Sequence, residues 1–411
     1  MKYKERMVSE KLLGMVKYFP IVVVSGARQV GKSTLLKKLF PNWEIVVFDP
    51  VMDISNARQD PELFLDNHPA PLILDEIQYA PELIPALKRR IDQNKEPGQY
   101  VLTGSQQWSV MKSISESLAG RAVFQDVEGF SLAEENEEML SGLWLERYLN
   151  SPDEFVESSH SRMNVSHTLY EFLWRGSLPE CDFLPEEYIP DFLSAYIRTY
   201  IERDVRLMLD IADWQSFGRF IQLIAALTAQ EVNYSHLGRD IGITPQTAKR
   251  WISVLKGTFQ WFEIPAWNGN LIKKISLKPK GFIADTGLAC HLTMISSPRA
   301  IGGHPMFGAL FETAVFAEIR KQMNAMSQKA KIYHWRMHSG SEIDFILERD
   351  GILYPIEVKS KTSPTPKDAM AFKKFAQLFT QYKIAPGLVV APAQKFERLN
   401  EFAHVLPWDV I

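Results

Sequence analysis

Two cysteines, Cys181 and Cys290, are all that 411 residues contain, and neither has a His or a second Cys at ligand spacing. That argues against a disulfide scaffold and a structural zinc site, and it suits a reducing compartment. Long apolar runs are missing too. No stretch of about eighteen apolar residues occurs, so no membrane-spanning helix is expected. The opening residues, MKYKERMVSEKLLGMV, carry charges throughout and lack an apolar signal core. The chain therefore reads as soluble and cytoplasmic, without a membrane partner. An excess of basic residues is also absent. Lys and Arg number 46 against 49 Asp and Glu, a net charge of -3, so any contact with nucleic acid must come from a local patch. What the chain does have is 46% apolar residues, enough over this length for two to four domains.

The stretch IVVVSGARQVGKSTLLKKLF begins as a β-branched strand over residues 21–24. It turns through Gly26, Ala27, Arg28, Gln29, Val30 and Gly31, then enters a helix at Lys32, Ser33 and Thr34, with Leu35, Leu36 and Leu39 on one face. The pattern G-x-x-x-x-G-K-[ST] is complete at Gly26, Gly31, Lys32 and Ser33. Glycines let backbone N–H groups close around phosphates, and a helix amino terminus favours the negative charge. Lys32 is expected at the β/γ-phosphates of ATP and Ser33 on magnesium. In PLILDEIQYAPEL an apolar strand ends at Asp75 and Glu76. Asp75 would hold the magnesium-bound water and Glu76 would polarise the attacking water. The strand in GQYVLTGSQQW leaves through Thr103 and Ser105, which either contact the γ-phosphate or only form the turn. Arg121 stands just before a strand expected over residues 122–127. It either completes a neighbouring subunit's nucleotide site, which implies a homo-oligomer, or pairs with the acidic loop behind it.

Alternating strands and helices predict an open, mostly parallel sheet with helices on both faces. The motif order resembles the AAA superfamily. GARQVGKST, LDEIQYAPEL and LTGSQ…SESLAGR are similar to a prokaryotic family of AAA-type ATPases whose ATPase domain precedes a module of unknown function. RTYIERDVR and ADTGLA continue that resemblance downstream. It implies an ATPase with ATP and Mg2+ as cofactors, and a connector able to carry ATP-driven motion.

Residues 151–209 show amphipathic helical spacing, cut into short pieces by Pro179, Pro185 and Pro190. NYSHLGRDIGITPQTAKRWISVLK has the spacing of a helix-turn-helix, with Gly242 in the turn and Thr244-Pro245 opening the second helix. The strand-like segment turning at Asn268-Gly269-Asn270 would be a wing. Residues 215–285 hold nine Lys or Arg against four Asp or Glu, a local +5. Thr247, Lys249 and Arg250 are candidates for a DNA major groove, and Lys273, Lys274, Lys278 and Lys280 for phosphates. Trp251 implies that much of this helix is buried, and winged helices also serve as protein-interaction or structural units.

At the far end, SGSEIDFILERDGILYPIEVKSK sets charges into apolar strands, where each must be paired, hydrogen-bonded or metal-bound. Two strands joined at Arg349-Asp350-Gly351 form a hairpin, and alternation puts Glu357 and Lys359 on one side with Val358 in a core. Glu312 lies early in a preceding helix, and Asp344 near the entry of the first strand. Asp344, Glu357 and Glu312 offer hard oxygen ligands to Mg2+ or Mn2+, and Lys359 would orient the attacking water. Glu342, His338 and Ser339 adjoin this set. The order resembles the PD-(D/E)xK nuclease superfamily, with Ile343 where that motif has Pro. A structural Glu–Lys pair, or a nuclease fold kept for binding, remains the alternative.

The expected fold class is α/β in four parts. Residues 1–150 form an AAA-type P-loop ATPase domain and 151–209 a helical connector. Residues 210–295 form a winged helix-turn-helix and 296–411 a PD-(D/E)xK nuclease-like domain.

Overall fold

The computed structural model describes residues 2–104, 118–138, 143–201, 213–269, 278–337 and 340–411. Ser105, Lys273, Lys274, His338, Ser339, most of RTYIERDVR and the wing's turn at Asn270 lie outside the described residues.

The amino-terminal strands are β1 (Ile21–Ser25), β2 (Glu44–Val47), β3 (Leu72–Asp75), β4 (Tyr100–Gly104) and β5 (Ala122–Asp126). All pair in parallel, in the order β2-β3-β4-β1-β5. β1, β3 and β4 are buried from end to end, so their sequences are continuous apolar runs. Their residues still divide between two faces. Ile21, Val23, Leu72 and Leu74 pack with Phe64, Leu83 and Leu87 on one side. Val22, Val24, Ile73 and Val101 join a larger cluster on the other, which runs on through Leu173, Trp251, Phe316 and Phe345 to Ile411. The sheet is therefore one wall of a core shared with everything downstream. Because β4 lies between β1 and β3, the P-loop, Thr103 and Asp75 emerge side by side.

In the connector the prolines open helices rather than only breaking them. Pro179 and Pro190 sit in the first turns of Pro179–Phe183 and Ile189–Tyr196, where a missing N–H costs nothing. The ADTGLA segment has a local explanation. Asp285 caps the Thr286–Leu292 helix by accepting from Leu288 N at 2.9 Å, and its other oxygen accepts from Ser177 N at 2.6 Å. A side chain on Gly287 would meet Arg175 O at 2.5 Å, so glycine is required for the two segments to touch.

The middle unit has helices Trp214–Ala226, Tyr234–Ile241 and Pro245–Gly257. Its antiparallel sheet, in the order β6-β8-β7, is built from β6 (Gln230–Glu231), β7 (Trp261–Ile264) and β8 (Lys280–Ile283). Gly242, at φ 82°, ends one helix, and the Thr244 side chain accepts from Thr247 N to start the next. Trp251 packs edge-on against Phe217 and Phe220, the buried role its aromatic ring implied.

The carboxy-terminal unit is a mixed sheet between helices. β9 (Lys331–Arg336), β10 (Glu342–Arg349) and β11 (Ile352–Val358) are antiparallel neighbours. β13 (Gly387–Ala391) and β15 (Ala403–Pro407) extend it in parallel, with β12 (Lys383–Ile384) and β14 (Glu397–Asn400) beside them. The β10–β11 turn is Asp350-Gly351, both at positive φ, as a two-residue hairpin loop requires. Helix Phe307–Ala325 covers one face and fixes the unit to the segment after β5. Lys321 Nζ donates to Phe130 O at 2.6 Å, Leu132 N to Glu318 Oε2 at 3.1 Å, and Arg320 pairs with Glu128 at 2.6 Å. Among the described residues no helix is long and apolar enough to cross a membrane.

Candidate functional site

The P-loop geometry follows from its glycines. Gly26 has φ 152°, and a Cβ there would lie 2.0 Å from Val127 O; Gly31 has φ 92°. Lys32 is buried and folds back into the loop, donating to Gly26 O at 2.9 Å and Ala27 O at 2.8 Å. Ser33 Oγ donates to Asp75 Oδ2 at 2.7 Å. Two hard oxygens from separate elements thus meet at the loop's mouth, a donor set that suits magnesium.

Thr103 lies at the end of β4, beside Asp75. Its fully buried hydroxyl donates to Asp75 Oδ1 and accepts from Glu76 N at 3.0 Å, so it ties the acidic pair together. Glu76 itself leaves the strand at φ 60°, a left-handed conformation costing on the order of 1 kcal/mol or more, and its carboxylate accepts from Gln78. Arg121 pairs with Asp92 on helix Leu83–Gln93, Nη2 to Oδ2 at 2.9 Å, and not with the acidic loop behind it. Sequence reasoning missed three supports of the loop. Arg6 donates to Val30 O at 2.8 Å, Arg28 to Tyr79 OH at 3.0 Å, and Tyr196 OH to Arg28 O at 3.3 Å. Thr34 is exposed on its helix and Gln29 on the loop.

At the carboxy-terminal carboxylates Asp344 and Glu357 are buried and Glu312 is half-buried, and their partners differ from those expected. Val358 N donates to Asp344 Oδ2 at 2.9 Å, and Asp344 N to Glu357 Oε2 at 3.3 Å. Lys359 pairs with Glu357. Lys280, expected to face phosphates, turns inward instead: its Nζ lies 2.9 Å from Asp344 Oδ1 and pairs with Glu312. Burial, then the neighbouring Asp344, pushes Glu357 up to about 8 and holds Glu312 well above the carboxylate range. Burial would lower Lys280, yet Asp344 and Glu312 raise it above its ordinary value. The Lys280 ammonium thus bridges Glu312 and Asp344.

Among the described residues, the one set of three His, Cys, Asp or Glu ligand atoms within 4.8 Å of one another is elsewhere, at Glu135, His167 and Asp182. Lys4 Nζ already pairs with Asp182 there and donates to Glu135 O at 2.6 Å. Burial first, and Asp182 second, push Glu135 from 4.5 up to about 8. The unfolded chain therefore releases this proton at lower pH than the folded one. Stability is lost as pH climbs from about 4.5 toward 8. Glu135→Gln removes the loss, so its melting temperature relative to wild type should rise between pH 5 and pH 8. An offset that is the same at both pH values would refute this.

On helix Pro245–Gly257, Lys249 and Arg250 are exposed while Ala248 and Trp251 are buried. Thr247 is half-buried, with its hydroxyl 2.9 Å from that of Thr244.

With this geometry in place, three family models match successive parts of the chain. Residues 18–136 match a family model described as an AAA domain. Residues 166–299 match a domain of unknown function (DUF8612), and residues 307–411 another (DUF4143). Uncharacterized proteins of Mycobacterium tuberculosis and Mycobacterium bovis are each 25% identical over 393 residues, covering 95% of this chain and 81% of the relative. Among solved structures, a signal-transduction ATPase of Pyrococcus horikoshii with a tetratricopeptide repeat sensor is 14% identical with a TM-score of 0.29. The match covers 78% of this chain, which spans about half, 51%, of that one. The RuvB Holliday junction branch migration motor of Thermotoga maritima is 13% identical with a TM-score of 0.30, covering 64% of this chain and 90% of that one.

Proposed function

We propose that this ATP-binding, AAA-type chain hydrolyses ATP and uses the nucleotide to govern a nuclease-like site that acts on nucleic acid. The observation that carries the first half is the hydrogen-bonded series Ser33, Asp75, Thr103 and Glu76 at the mouth of the P-loop. A bound magnesium ion supplies charge neutralisation at the phosphates. Ser33 and Asp75 would hold it. Lys32 exchanges two loop carbonyls for phosphate oxygens, a charge-assisted contact in place of neutral ones. Glu76, its backbone amide fixed by Thr103, accepts a hydrogen bond from the attacking water. Arg121 would act in a neighbouring subunit after leaving Asp92, and its exposed ion pair is weak enough to exchange.

The second half rests on order and placement. Helix, strand, helix, helix, strand, strand, with a β6-β8-β7 sheet, supports the winged helix-turn-helix reading. Lys249 and Arg250 then meet the nucleic acid, and Thr247 stays tied to Thr244. Glu312 on a helix, Asp344 and Glu357 on adjacent strands, and Lys359 beside them support the PD-(D/E)xK reading. The two sites share a part. Val127 packs on Gly26, the Glu128–Phe130 segment holds Arg320 and Lys321, and their helix carries Glu312 about 12–13 Å nearer its amino end, at about 1.5 Å per residue.

A second reading, a nucleotide-dependent binding or regulatory protein with an inert nuclease fold, is favoured by the Lys280 ammonium among the carboxylates. Incubation with Mn2+, ATP and single- or double-stranded DNA or RNA separates the two. Cleavage by wild type that disappears in Asp344→Ala is the expected result. The same products from both proteins, or none from either, would leave only the second reading.

A further inference from the structure

Lys280 does not come from the carboxy-terminal unit. It opens β8 in the middle sheet, where it stands across from Glu231 of β6 and Ile264 of β7. Its side chain nevertheless crosses into the carboxylates, and only 12% of it is exposed. Buried charges persist only when paired, and here each sign supplies the other. The charge count is specific. With all three carboxyls ionised, Glu312, Asp344 and Glu357 supply three negative charges against two positive ones on Lys280 and Lys359. Without Lys280 the remaining deficit is two, which one divalent cation balances. Such a cation binds carboxylate oxygens at about 2.0–2.6 Å. Lys280 holds one of those oxygens at 2.9 Å, so an ammonium and a metal cannot both be seated there.

We propose that Lys280 is the resident cation of the Glu312–Asp344–Glu357 site, and that a divalent metal enters only as Lys280 leaves. This rests on the nuclease-like reading of that site and adds its control. The way out is visible. A cleft of about 370 Å³ adjoins the carboxylates, lined by Gln230, Glu231, Lys280, His334 and Asp344 among others. Glu231, exposed and directly across the ladder from Lys280, offers the withdrawn ammonium a second carboxylate. The lysine and the metal are then alternatives, each lowering the other's occupancy.

The test uses the full chain without nucleotide and Mn2+ as the probe, with free Mn2+ read by electron paramagnetic resonance. Lys280→Met should bind Mn2+ at least tenfold more tightly than wild type, and Lys280→Met with Asp344→Asn should lose that site. Wild type needs no variant to fold: acetylation of Lys280, read by mass spectrometry, should quicken as Mn2+ is raised. If wild type and Lys280→Met bind Mn2+ equally while Asp344→Asn abolishes binding in both, the metal site stands and the lysine's control of it is wrong. If no Mn2+ binding depends on Asp344, the metal-site reading fails as well. A Lys280 acetylation rate that is constant across Mn2+ concentrations overturns the proposal even if Lys280→Met does not fold.

Discussion

Lys32→Ala is expected to abolish ATP binding, raising Kd at least about a hundredfold, or roughly 2.7 kcal/mol. The side chain is buried in the loop, and its ammonium donates to the Gly26 and Ala27 carbonyls. Phosphates entering that loop bring several negative charges into a partly desolvated space, where a missing counter-charge is costly. The backbone cradle should survive the substitution. Gly26 and Gly31 keep their positive φ, Arg6 still holds Val30 O, and Ser33 still meets Asp75. A loss of affinity without a loss of fold is therefore the signature. Fluorescent-nucleotide titration beside a melting curve reads both, and an affinity within threefold of wild type would place the phosphates somewhere else.

Glu76→Gln should divide binding from chemistry. ATP affinity is expected to stay within a few-fold of wild type, while phosphate release falls about 10²–10³-fold. The amide is the same size and still offers an oxygen to Gln78, and the Glu76 backbone amide still donates to Thr103. What disappears is the carboxylate's ability to accept the water's proton. Thr103→Val makes a useful companion, because it should lower the rate by misplacing Asp75 and Glu76 together. Steady-state phosphate release with a parallel binding titration measures both terms. An unchanged rate in Glu76→Gln would mean that another group activates the water.

Local features were legible in the sequence. The strand, loop and helix of residues 21–39 are consecutive, so one contiguous string holds the whole P-loop. The Asp350-Gly351 turn and the Gly242–Thr244 break are legible for the same reason, since a short run of residues contains their physics. Partners distant in sequence were not. Arg6 to Val30, Arg121 to Asp92, and Lys4 to Asp182 are pairs that only the tertiary fold brings together. Lys280 is the most instructive miss. A count of charges gives the sign of a patch but not the direction of each side chain, and this lysine points inward. The Thr103–Asp75 bond was not legible either, because it joins two strands that only the fold sets side by side.

Calorimetric titration of the nucleotide-free chain with ATP, with and without magnesium, bears most directly on the central claim that Ser33 and Asp75 complete a P-loop site. One ATP per chain, bound more tightly with magnesium, with that gain lost in Ser33→Ala, is the predicted result. No heat of binding, or a magnesium gain that survives Ser33→Ala, would contradict it.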